Sequence, residues 1–145
     1  MPLQSKTSSP SGRSGHGTPD GWPPRWLTPV PAEDIVRGDG DEVVGFVEAV
    51  CRVTKDSIAA PAGSLLSLRA WQQQLVRHLY ARRPDGRLRH RQGLIGVARK
   101  NAKSTLGAGL GLHGLVMGPD GGEVYSCAAD RDQARIVFGT ARRMV

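Results

Sequence analysis

Aromatic residues are scarce in this chain: three tryptophans, two tyrosines and two phenylalanines, 5% of 145 residues. So thin a supply argues against a row of stacking platforms for single-stranded nucleic acid. Cysteine is scarcer still. Cys51 and Cys127 lie far apart in apolar surroundings, at no metal-ligand spacing, and read as buried reduced thiols. Long apolar runs are missing too. The run from Leu106 to Met117 holds twelve residues, including His113, and is too short to span a bilayer. The first thirty residues lack the apolar core of a signal peptide. A soluble protein of the cytoplasm, with no membrane partner, is the expectation.

What the chain has in excess is positive charge, +7 net, unevenly spread. Between Arg69 and Lys103 stand ten Lys/Arg against a single acid, Asp85. Such a block steers toward phosphates, of nucleotide or of DNA. For Arg82, Arg83, Arg87, Arg89 and Arg91, a solvated surface is at least as good a reading. Proline marks a boundary. Residues 1–40 hold seven of the ten prolines, with many serines and glycines, and read as a disordered leader. Trp22 and Trp26, interrupted by Pro23 and Pro24, read first as incidental to it and second as a patch that docks onto the body or a partner. Residues 41–145 form the body.

In the body, Asp41 to about Val53 has helical periodicity, with Val43, Val47, Val50 and Cys51 on one face. A second helix covers Ser67 to about Arg82, with Leu68, Trp71, Leu75 and Leu79 along its apolar stripe. Trp71 is then a core residue and Gln72 lies off the stripe. Pro84-Asp85-Gly86 is a turn. Gly93 to Ala98 and Glu123 to Ala128 read as short parallel strands. Helices follow each, over Ser104–Met117 and from Arg131. Gly107, Gly111 and Gly114 share a face of the first, which would let it approach the sheet closely. Ala134, Val137, Phe138 and Ala141 point inward on the second. Asp130 and Gln133 suit a capping box at its start.

Strand, loop and helix in that order give meaning to Gly96-Val97-Ala98-Arg99-Lys100-Asn101-Ala102-Lys103-Ser104-Thr105. Lys103 offers a point charge to the β/γ-phosphates of a nucleotide. Ser104 offers a hydroxyl to magnesium, and backbone N–H groups of loop and helix start would wrap the anion. The pattern departs from G-x-x-x-x-G-K-[ST], because Val97 and Ala102 occupy its glycine positions. If Ala102 is left-handed, it costs roughly 1–2 kcal/mol relative to glycine. If its φ is negative, alanine is tolerated.

Arg99-Lys100-Asn101-Ala102-Lys103-Ser104 resembles the Arg-Lys-Asn-Gly-Lys-Ser/Thr loop of tailed-phage terminase large subunits, the ATPases that pump DNA into capsids. Leu68-Arg69-Ala70-Trp71-Gln72 resembles that family's Leu-x-x-Trp-Gln segment. Asp85-Gly86-Arg87 and the basic run after it are similar to its approach to the loop. Gly122 to Asp130, with Gln133-Ala134, resembles its second core strand and following helix. The resemblance covers roughly residues 43–145. It implies an α/β P-loop NTPase with a parallel sheet and flanking helices, using ATP and magnesium. The implied nucleotide contacts are Gln72 at adenine and Ala98, Arg99, Lys100, Asn101, Ala102, Lys103, Ser104 and Thr105 around the phosphates. The resemblance also implies a catalytic role for Lys103 and Arg99 and magnesium binding by Ser104. The implied partners of a full-length protein are double-stranded DNA, the terminase small subunit and the portal protein, in the cytoplasm of a bacterial host.

The acidic segment that would complete such a site, an apolar strand ending in Asp-Glu, has no counterpart in the sequence. Val124 to Asp130 is the nearest, and Arg131 follows it. No acidic cluster suits a two-metal nuclease. The chain is therefore expected to be an incomplete ATPase domain, truncated before that motif, inactive in hydrolysis alone and prone to self-association through unpaired sheet edge. Two other readings stand beside this one: a helicase-like P-loop ATPase fragment, and a basic interaction module without nucleotide chemistry.

Overall fold

The computed structural model describes residues 22–56 and 60–145. The leader expected over residues 1–40 lies outside the described residues as far as Gly21. Its far end departs from expectation, because Ala32–Arg37 forms a helix, α1. Pro31 precedes it, where a missing N–H is no loss. Asp34 is 3% exposed on this short helix and anchors it. Four further helices follow: α2 (Gly40–Val50), α3 (Ala70–Leu79), α4 (Lys103–Val116) and α5 (Arg131–Ala141).

The core gathers on α2. Val43, Val47 and Cys51 recur one turn apart and are fully buried, whereas Val50 points outward, 39% exposed. Against this stripe pack Val76 of α3 and Leu106 and Ala108 of α4. Burying an aliphatic side chain of this size stabilises by roughly 1.5–3 kcal/mol, so the stripe is the main support of α2. α4 comes unusually close to it. A Cβ placed on Gly109 would lie 3.3 Å from both methyl groups of Val47. At the start of α2, a Cβ on Gly40 would meet the Arg77 Cα at 2.5 Å, so only glycine lets α2 and α3 meet there. Met144, beyond α5, is fully buried, and its carbonyl accepts from the Arg52 N–H at 2.9 Å, which ties the chain's last residues to the end of α2.

The expected parallel sheet is not formed among the described residues. Gly93–Ala98 and Glu123–Ala128 belong to no ladder. The bridges present, Arg52 with Leu65 and Arg82 with Leu88, are isolated and antiparallel. A parallel strand needs a neighbour along its edge and cover on its faces. Here Leu94 stands fully exposed and Tyr125 is 77% exposed. The glycine face of α4 is nevertheless used. Cβ atoms on Gly111 and Gly114 would each lie 3.6 Å from a methyl of Val124, so α4 does approach the second segment closely. Gly107 faces open space.

α5 begins as its sequence indicates, with Asp130 Oδ1 accepting from the Gln133 N–H at 2.8 Å. Val137 and Ala141 pack toward the core, but Phe138 is 65% exposed. Phe138, Leu112, Val124 and Tyr125 border an apolar groove of about 760 Å³ between α4, α5 and residues 124–127. Cys127 is exposed there, contrary to its reading as a buried thiol, because the strand that would have buried it has no partner. Cys51 is buried as expected, and desolvation pushes its thiol above the ordinary value.

Candidate functional site: the loop before α4

Between Ala98 and α4 the backbone turns twice through the left-handed region, at Lys100 (φ 67°) and Ala102 (φ 54°). Neither is glycine, and L-residues adopt this conformation reluctantly. The Asn101 Nδ2 donates to the Ala98 carbonyl at 3.3 Å and closes the loop on itself. Ala102 is then the N-cap of α4, with φ 54° and ψ 26°, and no side chain caps the helix. The first intrahelical bond joining the cap runs from the Leu106 N–H to the Ala102 carbonyl at 2.8 Å. The N–H groups ahead of Leu106 are the orphan donors of a helix start.

The charge around these donors has one sign. The first turn of α4 contains no acid, whereas α2 carries Asp41 and Glu42 there and α5 carries Asp132. Arg99, Lys100 and Lys103 are exposed, and Ser104 and Thr105 are half-buried at the helix start. A helix N-terminus concentrates about half a positive charge, and turns that alternate in handedness gather successive N–H groups into an anion-binding hollow. The arrangement suits a phosphate. Among the described residues no group of three or more His, Cys, Asp or Glu could hold a metal on its own.

Gln72 is placed otherwise than expected. It is 4% exposed, and its Oε1 accepts from the Arg69 N–H at 2.9 Å, which caps the start of α3. Trp71, read as a core residue, instead turns half-buried toward a cavity of about 690 Å³. Gln72 turns inward as the amide that caps α3, and Trp71, one position back, faces the cavity. Trp22 borders the same cavity, its ring in contact with that of His78 at 4.9 Å between centroids. Trp22 is thus packed against the body and not incidental, while Trp26 stays 82% exposed with the Arg25 guanidinium 5.6 Å from its ring. The cavity reaches Ala98 and Asn101 of the loop.

The basic block divides in two. Residues 81–89 form a small hairpin about the Pro84-Asp85-Gly86 turn, where Asp85 Oδ1 accepts from the Arg87 N–H at 3.0 Å. Arg89 reaches back to Asp34 Oδ2 at 2.6 Å, and Arg37 holds Oδ1 at 2.8 Å. Arg82 Nε bonds Asp39 Oδ2 at 2.7 Å, and that bond raises the guanidinium pKa above its ordinary value. Arg82 and Arg89 therefore fasten α1 to the hairpin leading into the loop. Arg83, Arg87 and Arg91 remain on the surface. Sequence alone could not pair them, since the partner acids lie 43 and 55 positions away.

The family model for the terminase large subunit, ATPase domain, matches residues 70–145, more than half of the chain. The chain belongs to that family. Among solved structures it is similar to the large terminase of bacteriophage HK97, at 31% identity with a TM-score of 0.55. That match covers 74% of this chain and 21% of the HK97 protein, so the chain spans about a fifth of that terminase's length. No curated protein matches it. The family match takes in the whole loop and α3 through α5, while α1, α2 and Trp22 lie upstream of it. Among the described residues, no helix is long and apolar enough to cross a membrane.

Proposed function

We propose that the loop from Ala98 to Thr105 holds the phosphates of ATP, as part of the motor that packages double-stranded DNA into phage capsids. The observation that carries this reading is the paired left-handed turn at Lys100 and Ala102 ahead of an uncapped, acid-free helix start. Membership of the terminase ATPase family supports it independently.

Each residue has a role that follows from its chemistry. The backbone N–H groups of the loop and of Lys103, Ser104 and Thr105 donate to phosphate oxygens. The Lys103 ammonium offsets charge on the β/γ-phosphates, and Arg99 adds a second cation close by. Magnesium, when bound through Ser104, supplies Lewis-acid stabilisation of the same oxygens. No residue described here is placed to orient an attacking water, so this chain binds nucleotide and does not turn it over efficiently by itself. Double-stranded DNA, the small subunit and the portal protein are the partners proposed for the full assembly, in the host cytoplasm. The ATPase unit is taken to begin at α1, because Asp34 and Asp39 fasten that region to the hairpin before the loop.

Titration calorimetry with Mg-ATP tests the reading. Wild-type chain should bind, and Lys103→Ala should weaken binding at least tenfold, in line with loss of a charge-assisted contact of about 1.5–3 kcal/mol. Equal binding by both would remove Lys103 from the site.

A further inference from the structure

The hairpin that leads into the loop holds two arginines where stability alone would not favour them. Gly86 turns at φ 81°, and the Arg83 N–H donates to the Arg87 carbonyl at 2.9 Å, so Arg83 and Arg87 face one another across the tip. Side chains opposed in this way stand about 4.5–5.5 Å apart at Cβ, and like charges there repel. We infer that Arg83 and Arg87, with Arg91 beyond them, form a contact surface for the phosphate backbone of duplex DNA. The partner rests on the packaging reading above, and the surface goes beyond it.

The charge is uncompensated. Among the described residues, Arg83, Arg87 and Arg91 are exposed and enter no ion pair, whereas Arg82 and Arg89 of the same segment are held by Asp39 and Asp34. The acid at the tip, Asp85, gives Oδ1 to the Arg87 N–H at 3.0 Å and pairs with neither guanidinium. The presentation is also fixed. The Arg89 N–H donates to the Ala81 carbonyl at 2.8 Å, and the two ion pairs fasten the base of the hairpin to the α1 region. Cations on a pre-ordered support lose less freedom on binding than cations on a loose loop. Guanidinium groups suit phosphate oxygens, which they can engage through two parallel N–H donors. Duplex DNA presents about one negative charge per 1.7 Å of its axis, so a closely opposed arginine pair meets charge dense enough to relieve its own repulsion. No Phe, Tyr or Trp stands between Ala81 and Arg91, which favours contact with the backbone over stacking on bases.

Fluorescence anisotropy with a labelled duplex, repeated over a series of salt concentrations on the intact chain, tests the assignment. Each phosphate neutralised contributes about 0.9 to the steepness of log affinity against log salt. Arg83→Gln combined with Arg87→Gln should therefore bind more weakly, with a slope shallower by about two. The loss should be equal for duplexes of unrelated sequence, as backbone contacts require. Arg131→Gln combined with Arg142→Gln removes the same charge from the α5 region and should leave the slope within about half a unit of wild type. Because the opposed charges repel, the hairpin variant should melt at or above wild type. A wild-type chain that does not bind duplex at low salt, an unchanged slope in the hairpin variant, or an equal loss in the α5 variant would overturn the inference. So would a hairpin variant that melts well below wild type, since the arginines would then act through the fold. None of these results touches Mg-ATP binding, and failure of Mg-ATP to bind would remove the nucleotide reading while leaving the hairpin result in place.

Discussion

Replacing Ala102 with glycine should make the protein more stable. Ala102 sits at φ 54°, where its Cβ crowds the following carbonyl and L-residues are disfavoured by roughly 1–2 kcal/mol. Glycine removes that crowding. It also loosens the unfolded chain, which offsets the gain by about 0.4–1 kcal/mol. Little packing is lost with the methyl group, because Ala102 is exposed. The net expectation is a stabilisation of about 0.5–1 kcal/mol, or a rise in melting midpoint of about 1–4 °C for a chain of this size. If the unliganded loop relaxes away from this geometry, the same energy appears in binding, and Mg-ATP should bind Ala102→Gly about twofold to fivefold more tightly. Ala102→Val serves as the opposite control, since a β-branched residue at positive φ is a true outlier, and it should melt below wild type. Differential scanning calorimetry on the three proteins decides the matter. A lower midpoint for the glycine variant, or a higher one for the valine variant, would refute the left-handed cap and the reasoning built on it.

Three further expectations follow from the packing and from the site. Asp34→Asn should destabilise by about 2–3 kcal/mol in urea titration, because two arginines lose their carboxylate partner, and a change below about 0.5 kcal/mol would mean that the ion pairs are incidental. Native protein should react with a thiol reagent at Cys127 and not at Cys51, with both reacting after denaturation, and rapid native labelling of Cys51 would contradict its burial. Because burial raises the Cys51 pKa, its contribution to stability is complete below the ordinary thiol range and is lost as pH rises through the folded-state value. Cys51→Ala should flatten that alkaline decline, and an unchanged slope would assign it to other groups.

Several features of this architecture were legible in the residues because they are local. The α2 stripe of Val43, Val47 and Cys51 follows from helical spacing, and the Asp130 cap from a polar side chain facing an early N–H. The turn at Asp85-Gly86 is local for the same reason. The loop before α4 was legible in place but not in conformation. Alanine at the cap left its handedness open, and only the backbone settled it.

What sequence could not supply was long-range. The arginines of 82–89 looked like a plain basic run until Asp34 and Asp39 came to meet two of them. Gly93–Ala98 and Glu123–Ala128 carry strand-like composition, but strand pairing depends on a neighbour, and among the described residues neither segment has one. The packing of Trp22 was hidden for a related reason. A tryptophan among prolines gives no periodic signal, and its packing beside His78 is a tertiary event.

The central claim is that the backbone from Lys100 to Thr105 receives a phosphate, and backbone amide chemical shifts during a Mg-ATP titration address it most directly. The account predicts that the amides of Lys100 to Thr105 move furthest in the wild-type chain and stay in place in Lys103→Ala. Saturable shifts that spare this loop and appear elsewhere, or shifts that persist unchanged in Lys103→Ala, would contradict it.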